Sequence, residues 1–108
     1  MSFISAHVLD AVDGVPAQGV AVSLDDADGR SLAQAVTDRD GRVAELGPDH
    51  LEPGEYAVTF ATAAYFAARS RASFFPRVTV HFSVAPGERH YHVPLLLSAF
   101  SYTTYRGS

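Results

Sequence analysis

The sequence predicts an all-β sandwich with one short helix, on the strength of three observations. Short apolar segments with two-residue periodicity recur along the chain, and turn residues separate them at intervals of roughly 8–12 residues, a spacing typical of sandwiches. The 8 glycines and 6 prolines of the 108 residues stand mostly between those segments. One alanine-rich stretch alone has the composition of a helix, which is too little for an α/β architecture.

Five strands are predicted in the first part of the chain. They cover residues 3–9, 19–25, 31–37, 42–46 and 55–60. In the second of them Val20, Val22 and Leu24 alternate with other residues and are expected to face inward. The Asp-Gly pairs that end at Gly29 and Gly41 are turn signals, because glycine tolerates the positive φ that tight turns require. Residues 47–55, with two prolines and two glycines, are expected to form a loop.

The pattern changes at residue 62. Residues 62–69 are rich in alanine, and we expect a helix of about two turns there, with Thr62 as its N-cap. A loop leads to a sixth strand over residues 77–84. Residues 90–108 are predicted to form two further strands joined by a tight bend. Because chain ends generally fray, a strand that continues to Ser108 indicates an end that is held in place.

Composition limits the classes of partner. The chain has 8 basic and 12 acidic residues and a formal charge of −4, which argues against nucleic acid and anionic membranes as partners. It contains no cysteine, so a structural metal site would have to use histidines and carboxylates. We expect one domain over residues 1–108, without a secretory signal or membrane span and located in the cytoplasm.

Two histidines, His90 and His92, stand two residues apart in a predicted strand. Alternate strand residues share a face, with roughly 7 Å between their Cβ atoms, which suits a shared ligand or substrate. Zinc is one interpretation, with His7, His50 or His81 as a third ligand. Two histidines alone are weak support for a metal, so exposed or hydrogen-bonded strand histidines are the favoured interpretation.

Four other positions carry side chains suited to chemistry. Arg42 follows a turn glycine, and its pattern is that of a solvated strand residue, although a guanidinium can fork onto a planar, oxygen-rich ligand. His7 lies in an apolar strand, where a hydrogen-bonded core histidine is common. Tyr105 and Arg106 have the pattern of an ordinary strand edge. By pattern alone, the structural interpretation is favoured at each of these positions.

Several segments, taken together and in order, resemble those of one family. They are His7-Val-Leu-Asp10, Gly14 with Pro16-Ala17, Thr37-Asp-Arg-Asp-Gly-Arg42, Phe74-Phe-Pro76, His90-Tyr-His-Val-Pro-Leu-Leu-Leu-Ser98 and Tyr105-Arg-Gly-Ser108. The chain resembles the transthyretin-like 5-hydroxyisourate hydrolases over almost its whole length. It departs from that family at Ala99, where proline is usual, and this concerns the bend between the last two strands.

The resemblance implies a transthyretin-like sandwich of two four-stranded antiparallel sheets, with one short helix after the fifth strand. It also implies a homotetramer built as a dimer of dimers, with active sites in a channel at the dimer–dimer interface. The implied reaction is hydrolysis of the cyclic amide of 5-hydroxyisourate, and no cofactor or metal is required.

By position, the catalytic residues of the family fall on His7, Arg42, His92 and Ser108. The same four residues, with Tyr105 and Arg106, are expected to bind the substrate. Opening a cyclic amide with water needs a base and an oxyanion donor. We expect the two histidines to activate water and return the proton, Arg42 to hold the substrate and its developing charge, and Ser108 to donate a hydrogen bond without acting as a nucleophile. His90 matches the motif, but we expect no catalytic role for it.

Three alternatives remain. A transthyretin-like carrier would hold a small aromatic ligand without chemistry, and the resemblance implies that vertebrate carriers lack the Tyr-Arg-Gly-Ser ending and the His/Arg/His combination. A zinc hydrolase using His7, His90 and His92 would be inactivated by a strong chelator. A purely structural adhesion module is the third alternative.

Overall fold

The computed structural model describes residues 2–108. Its strands are β1 (Ile4–Asp10), β2 (Val15–Pro16), β3 (Ala21–Asp26), β4 (Ser31–Val36), β5 (Arg42–Val43), β6 (Gly54–Phe60), β7 (Val78–Val84), β8 (Tyr91–Leu97) and β9 (Tyr102–Thr104), and its helix is α1 (Thr62–Ala67). Within residues 2–108, no helix is both long and apolar enough to cross a membrane.

The strands form two sheets. One has the order β2-β1-β8-β9, with β5 also paired to β1, and the other has the order β4-β3-β6-β7. The predicted all-β sandwich with one short helix is therefore confirmed. Within it, β1 and β8 run parallel, and the other pairs are antiparallel. A parallel pair is possible here because the chain builds the whole second sheet between β1 and β8.

The core lies between the sheets and takes alternate residues of each strand. In β1, Ile4, Ala6 and Val8 are at most 1% exposed, whereas Ser5 and His7 between them are half-buried. The inward-facing residues predicted for the second strand, Val20, Val22 and Leu24, are likewise buried. The outer face of β1 is consequently free to present polar side chains, and His7 is not a core histidine.

Several boundaries differ from the sequence predictions. The strand expected at 42–46 is limited to Arg42–Val43, and Val15–Pro16, which lies outside every predicted strand, pairs with the end of β1. Because that short strand is counted as β2, the helix follows the sixth strand, β6, where the resemblance implied the fifth. The last predicted strand ends at Thr104, after which the chain rejoins the sheet only at Gly107.

The prediction that Thr62 caps the helix is wrong. The N-cap position is Ala61, which makes no side-chain capping hydrogen bond. Thr62 is buried, and its hydroxyl donates to the carbonyl oxygen of Phe75 at 3.1 Å. A buried hydroxyl needs a partner, and the loop before β7 supplies it in place of the helix backbone.

A buried hydrogen bond fixes the helix to the end of β1. The Tyr65 hydroxyl donates to Asp10 Oδ2 at 2.7 Å, and Asp10 Oδ1 accepts from the amides of Val12 and Asp13 at 2.8 and 3.1 Å. Burial and the Asp10 hydrogen bond raise the pKa of Tyr65 to about 12. The phenol therefore stays a donor at neutral pH, and it fixes the end of β1, the strand that carries Ser5 and His7.

Candidate active site

The candidate site lies where β5, β1 and β8 run side by side. The register places Arg42 of β5 opposite His7 of β1, and Ser5 of β1 opposite His92 of β8. Ser5 and His7 share the outer face of β1 because alternate strand residues point the same way. Strand pairing thus gathers residues that are up to 87 positions apart in sequence.

Two predicted residues, His7 and His92, have neighbouring rings, with centroids 6.4 Å apart. His7 Nε2 lies 3.0 Å from the carbonyl oxygen of Asp40. A carbonyl can only accept, so Nε2 is the donor and neutral His7 keeps its lone pair on Nδ1. The turn before β5 therefore sets both the orientation and the tautomer of His7.

That turn also positions Arg42. The Asp38 carboxylate accepts hydrogen bonds from the amides of Asp40 and Arg42 at 2.9 and 3.0 Å. The bond from the Arg42 amide is the largest cause of a lowered pKa for Asp38, and it outweighs the opposing effect of burial. Gly41 completes the turn with φ of 76°, and a Cβ at this position would collide with the carbonyl oxygen of Val8. Only glycine fits so close to β1.

The C-terminal segment reaches the same place along β8. Thr104 donates to the carbonyl oxygen of Pro94 at 2.8 Å. Farther on, the Arg106 guanidinium lies 4.4 Å above the centre of the Tyr91 ring and 3.4 Å from the Glu88 carboxylate. These contacts hold the chain against β8 as far as Arg106, although the last strand, expected to continue to Ser108, ends at Thr104.

A cavity of about 360 Å³ joins these elements. Its lining includes Ser5, Arg42, His90, His92 and Ser108, with small apolar side chains from β1 and β5. Three of the four predicted catalytic residues thus line one cavity, and the ring of the fourth, His7, stands beside His92.

Tyr105 and Arg106 are not brought to that cavity. They line a neighbouring cavity of about 330 Å³ between β7 and the end of the chain, and His92 borders both. Their predicted contact with the substrate remains a prediction. A larger open depression of about 440 Å³ lies on the second sheet, but no titratable side chain lines it. The histidine cavity is therefore the candidate active site.

The pKa of His92 is lowered, first by burial and then by the positive charge of Arg42 and by the neighbouring His7 and His90. Burial and nearby cations both disfavour the imidazolium. Near neutral pH His92 is accordingly a neutral imidazole, the form that can accept a proton.

Sequence reasoning missed Ser5. Its hydroxyl oxygen lies 2.9 Å from His90 Nε2 and 2.8 Å from His92 Nδ1. The alternation of β1 places Ser5 on the face of His7, which was a usable signal, but the sequence does not show that β8 is the neighbouring strand.

Within residues 2–108, no group of three or more His, Asp or Glu side chains is arranged to hold a metal ion.

Solved structures with the same architecture include a hydrolase and a transthyretin. A 5-hydroxyisourate hydrolase from Klebsiella pneumoniae matches with a TM-score of 0.92 and 42% identity, covering 100% of both chains. Sea bream transthyretin in complex with thyroxine matches with a TM-score of 0.90 and 38% identity, over 97% of this chain and 94% of that one. Fold and site together define a transthyretin-like β-sandwich protein.

The sequence comparisons are more specific. Residues 4–107 match the HIUase/Transthyretin family. A 5-hydroxyisourate hydrolase from Salmonella dublin is 43% identical over 111 residues, which covers 99% of this chain and 82% of that protein. The chain belongs to the HIUase/Transthyretin family, which confirms the resemblance found in its motifs.

Proposed function

We propose that this chain opens the cyclic amide of 5-hydroxyisourate with water, giving 2-oxo-4-hydroxy-4-carboxy-5-ureidoimidazoline in urate breakdown. The chain is an enzyme of the hydrolase class. The observation that carries the choice of reaction is the shared cavity of Arg42, His92 and Ser108, with the His7 ring 6.4 Å from that of His92. The Klebsiella and Salmonella relatives, which carry this activity in their names, support the choice of substrate.

In this proposal His92 is the base. Its lowered pKa keeps the ring neutral, so it can take a proton from water as the oxygen attacks the carbonyl carbon. The tetrahedral intermediate collapses with cleavage of the C–N bond, and the leaving nitrogen takes up a proton. That proton is the one His92 took from water: it passes to the free Nδ1 of neutral His7, whose Nε2 is held by the Asp40 carbonyl, and from there to the leaving nitrogen. Acid–base steps of this kind typically contribute 10²–10⁴-fold.

Arg42 and Ser108 supply hydrogen-bond donors. The guanidinium of Arg42 is exposed and can direct two N–H groups at the carbonyl oxygen, where negative charge develops. Ser108 donates to the substrate or to the attacking water. Tyr105 and Arg106 bind the far end of the substrate from the neighbouring cavity. No cofactor or metal takes part in this proposal, and activity that persists in a strong chelator distinguishes it from the zinc alternative.

We also infer a homotetramer, a dimer of dimers in which each subunit is one domain and partner subunits close the cavity, located in the cytoplasm. The support is the exposure of large apolar side chains in a single chain: Phe74 is 71%, Phe100 68% and Tyr105 55% exposed. Light scattering should give four times the mass of the 11.6 kDa chain. A monomer that is fully active would contradict this assembly.

The deciding experiment generates 5-hydroxyisourate from urate in situ and follows its ultraviolet absorbance. Catalytic amounts of the protein should accelerate the decay, with saturation in substrate. Decay at the spontaneous rate would overturn the proposal. Saturable binding of a small aromatic ligand without turnover would then favour the carrier, the function suggested by the likeness to the thyroxine-bound transthyretin.

A further inference from the structure

We infer that Ser5 and His90 form a hydrogen-bond relay that fixes the tautomer of His92, placing its proton on Nδ1 and leaving Nε2 as the basic nitrogen. The relay begins at the backbone carbonyl of Ser2 and ends at His92. Ser5 and His90 are thus positioning residues, and neither needs to touch the substrate. The inference rests on the proposed function only where it concerns turnover, because the tautomer of His92 is a property of the protein alone.

The first step is the tautomer of His90. Its Nδ1 lies 3.2 Å from the carbonyl oxygen of Ser2. A carbonyl oxygen can only accept, so Nδ1 must carry a proton. When His90 is neutral, its Nε2 therefore has a lone pair and acts as an acceptor.

The second step is the direction of the Ser5 hydroxyl. Ser5 Oγ lies 2.9 Å from His90 Nε2 and 2.8 Å from His92 Nδ1, and it has a single hydrogen to donate. Because His90 Nε2 is an acceptor, that hydrogen goes to His90. The Ser5 oxygen can then only accept from His92, so His92 Nδ1 carries the proton.

The opposite direction is disfavoured. If Ser5 donated to His92, His90 would have to carry its proton on Nε2, and its bare Nδ1 would face the Ser2 carbonyl at 3.2 Å. Two acceptors would then oppose each other without a hydrogen between them. The fixed carbonyl thus decides the direction of the whole relay.

The consequence for catalysis concerns Nε2 of His92. Ser5 occupies the Nδ1 side of the ring, so Nε2 is the nitrogen left to meet a water in the cavity that His92 lines. Free histidine in water favours the other neutral tautomer, in which Nε2 carries the proton and cannot act as a base. The relay therefore gives His92 the tautomer that free histidine in water disfavours.

The direct test is a long-range ¹H–¹⁵N correlation spectrum of the histidine rings in the intact protein, recorded well above the ordinary histidine pKa of about 6.5. The signals of His92 are assigned by their loss in His92→Asn. We expect a protonated Nδ1 and an unprotonated Nε2. A wild-type His92 protonated on Nε2 would overturn the inference, whatever the variants do.

Three variants test the relay itself. Ser5→Ala should move His92 toward the Nε2–H tautomer, and Ser5→Thr, which keeps the hydroxyl, should preserve the wild-type state. His90→Phe removes the acceptor and frees the Ser5 hydrogen for His92, so it should give the same change as Ser5→Ala. A His92 tautomer unchanged in His90→Phe would refute the relay, and His90 is exposed, so this variant tests it even if Ser5→Ala fails to fold.

Turnover provides the second readout. Ser5→Ala should lower kcat about fivefold, the population change that loss of one ordinary hydrogen bond produces, with little change in KM. Ser23→Ala, a half-buried strand serine of the other sheet, is the matched control and should leave kcat unchanged. If His92 has the expected tautomer but the protein does not hydrolyse 5-hydroxyisourate, only the proposed function is contradicted. If the protein hydrolyses 5-hydroxyisourate but His92 has the opposite tautomer, only the relay is contradicted.

Discussion

The amide of Gly107 donates a 2.8 Å hydrogen bond to the carbonyl oxygen of His92, and the two residues form an isolated antiparallel bridge. A Cβ at Gly107 would lie 2.5 Å from Cδ2 of His92 and 3.1 Å from Cγ of Pro94. The end of the chain therefore packs directly on the ring of the proposed base, and only a residue without a side chain permits this approach.

Gly107→Ala should consequently impair the site more than the fold. The added methyl group must push the His92 ring or the terminal segment aside, and a displacement of about 1 Å in a catalytic group can cost about 100-fold in rate. We expect kcat/KM to fall by up to that factor. The melting temperature should fall only a few degrees, because the terminal segment is largely exposed. Unchanged kinetics would show that the ring tolerates the contact.

His92→Asn tests the base directly. Asparagine preserves polarity and approximate size but cannot take up a proton, so kcat should fall by about 10²–10⁴-fold. His50→Asn is the matched control, because His50 is exposed and is absent from the cavity lining, and its activity should equal that of the wild type. Turnover of His92→Asn within a few fold of the parent would remove His92 from the mechanism.

The strand pattern was predictable from sequence because alternation and Asp-Gly turns are local signals. The inward-facing residues of β3 and the turn at Gly41 were predicted from a few neighbouring residues each. The parallel pairing of β1 with β8 was not, since it joins segments with the whole second sheet between them. The local capping rule also failed at Thr62, because its hydroxyl donates to the carbonyl oxygen of Phe75 in a distant loop.

The same distinction applies to the site. The predicted set His7, Arg42, His92 and Ser108 came from motif resemblance, and no periodicity would have selected Arg42 from the other exposed arginines. Ser5 was missed because its importance depends on the register that sets it opposite His92. Tyr105 and Arg106 follow the motif, yet they line a different cavity of the single chain. Which cavity a side chain lines depends on tertiary packing, and the spacing of residues in the sequence does not determine that packing.

The activity should depend on pH through His92. Its folded-state pKa is lowered, so the neutral base persists below the ordinary histidine pKa of about 6.5, and kcat/KM should decline only as the pH falls through the lower value. The positive charge of Arg42 is the second cause of the lowered His92 pKa, and burial is the first. Arg42→Gln removes a positive charge that disfavours the imidazolium, so the His92 pKa rises and the acid limb of the profile should move to higher pH.

Arg39→Gln provides the control for that experiment, because Arg39 is an exposed arginine of the same turn and is absent from the cavity lining. Its acid limb should coincide with that of the wild type. The quantity to compare is the midpoint of the limb, since Arg42→Gln should also lower the overall rate by removing an oxyanion donor. A midpoint that stays in place or moves to lower pH in Arg42→Gln would contradict the electrostatic coupling.

Tyr65→Phe should destabilise the fold. Tyr65 and Asp10 are 2% and 1% exposed, so losing the phenol leaves Asp10 Oδ2 buried without this donor. The cost is about 1–3 kcal/mol of the free energy of unfolding, measured by urea denaturation. Tyr56→Phe is the matched control, because its hydrogen bond to the Glu52 carbonyl is solvent-exposed and should be worth under about 1 kcal/mol. Equal losses in the two variants would contradict a special role for the buried pair.

Extension of the chain beyond Ser108 should strongly reduce activity. Ser108 lines the cavity of about 360 Å³, and Gly107 fixes the preceding backbone against His92, so added residues must enter the cavity or pull Ser108 out of it. A cleavable C-terminal tag should lower kcat/KM by about 100-fold, the cost of misplacing a positioned group, and its removal should restore the rate. The same tag at the N-terminus is the control and should have little effect. Equal kcat/KM for the two tagged proteins would show that Ser108 takes no part in the site.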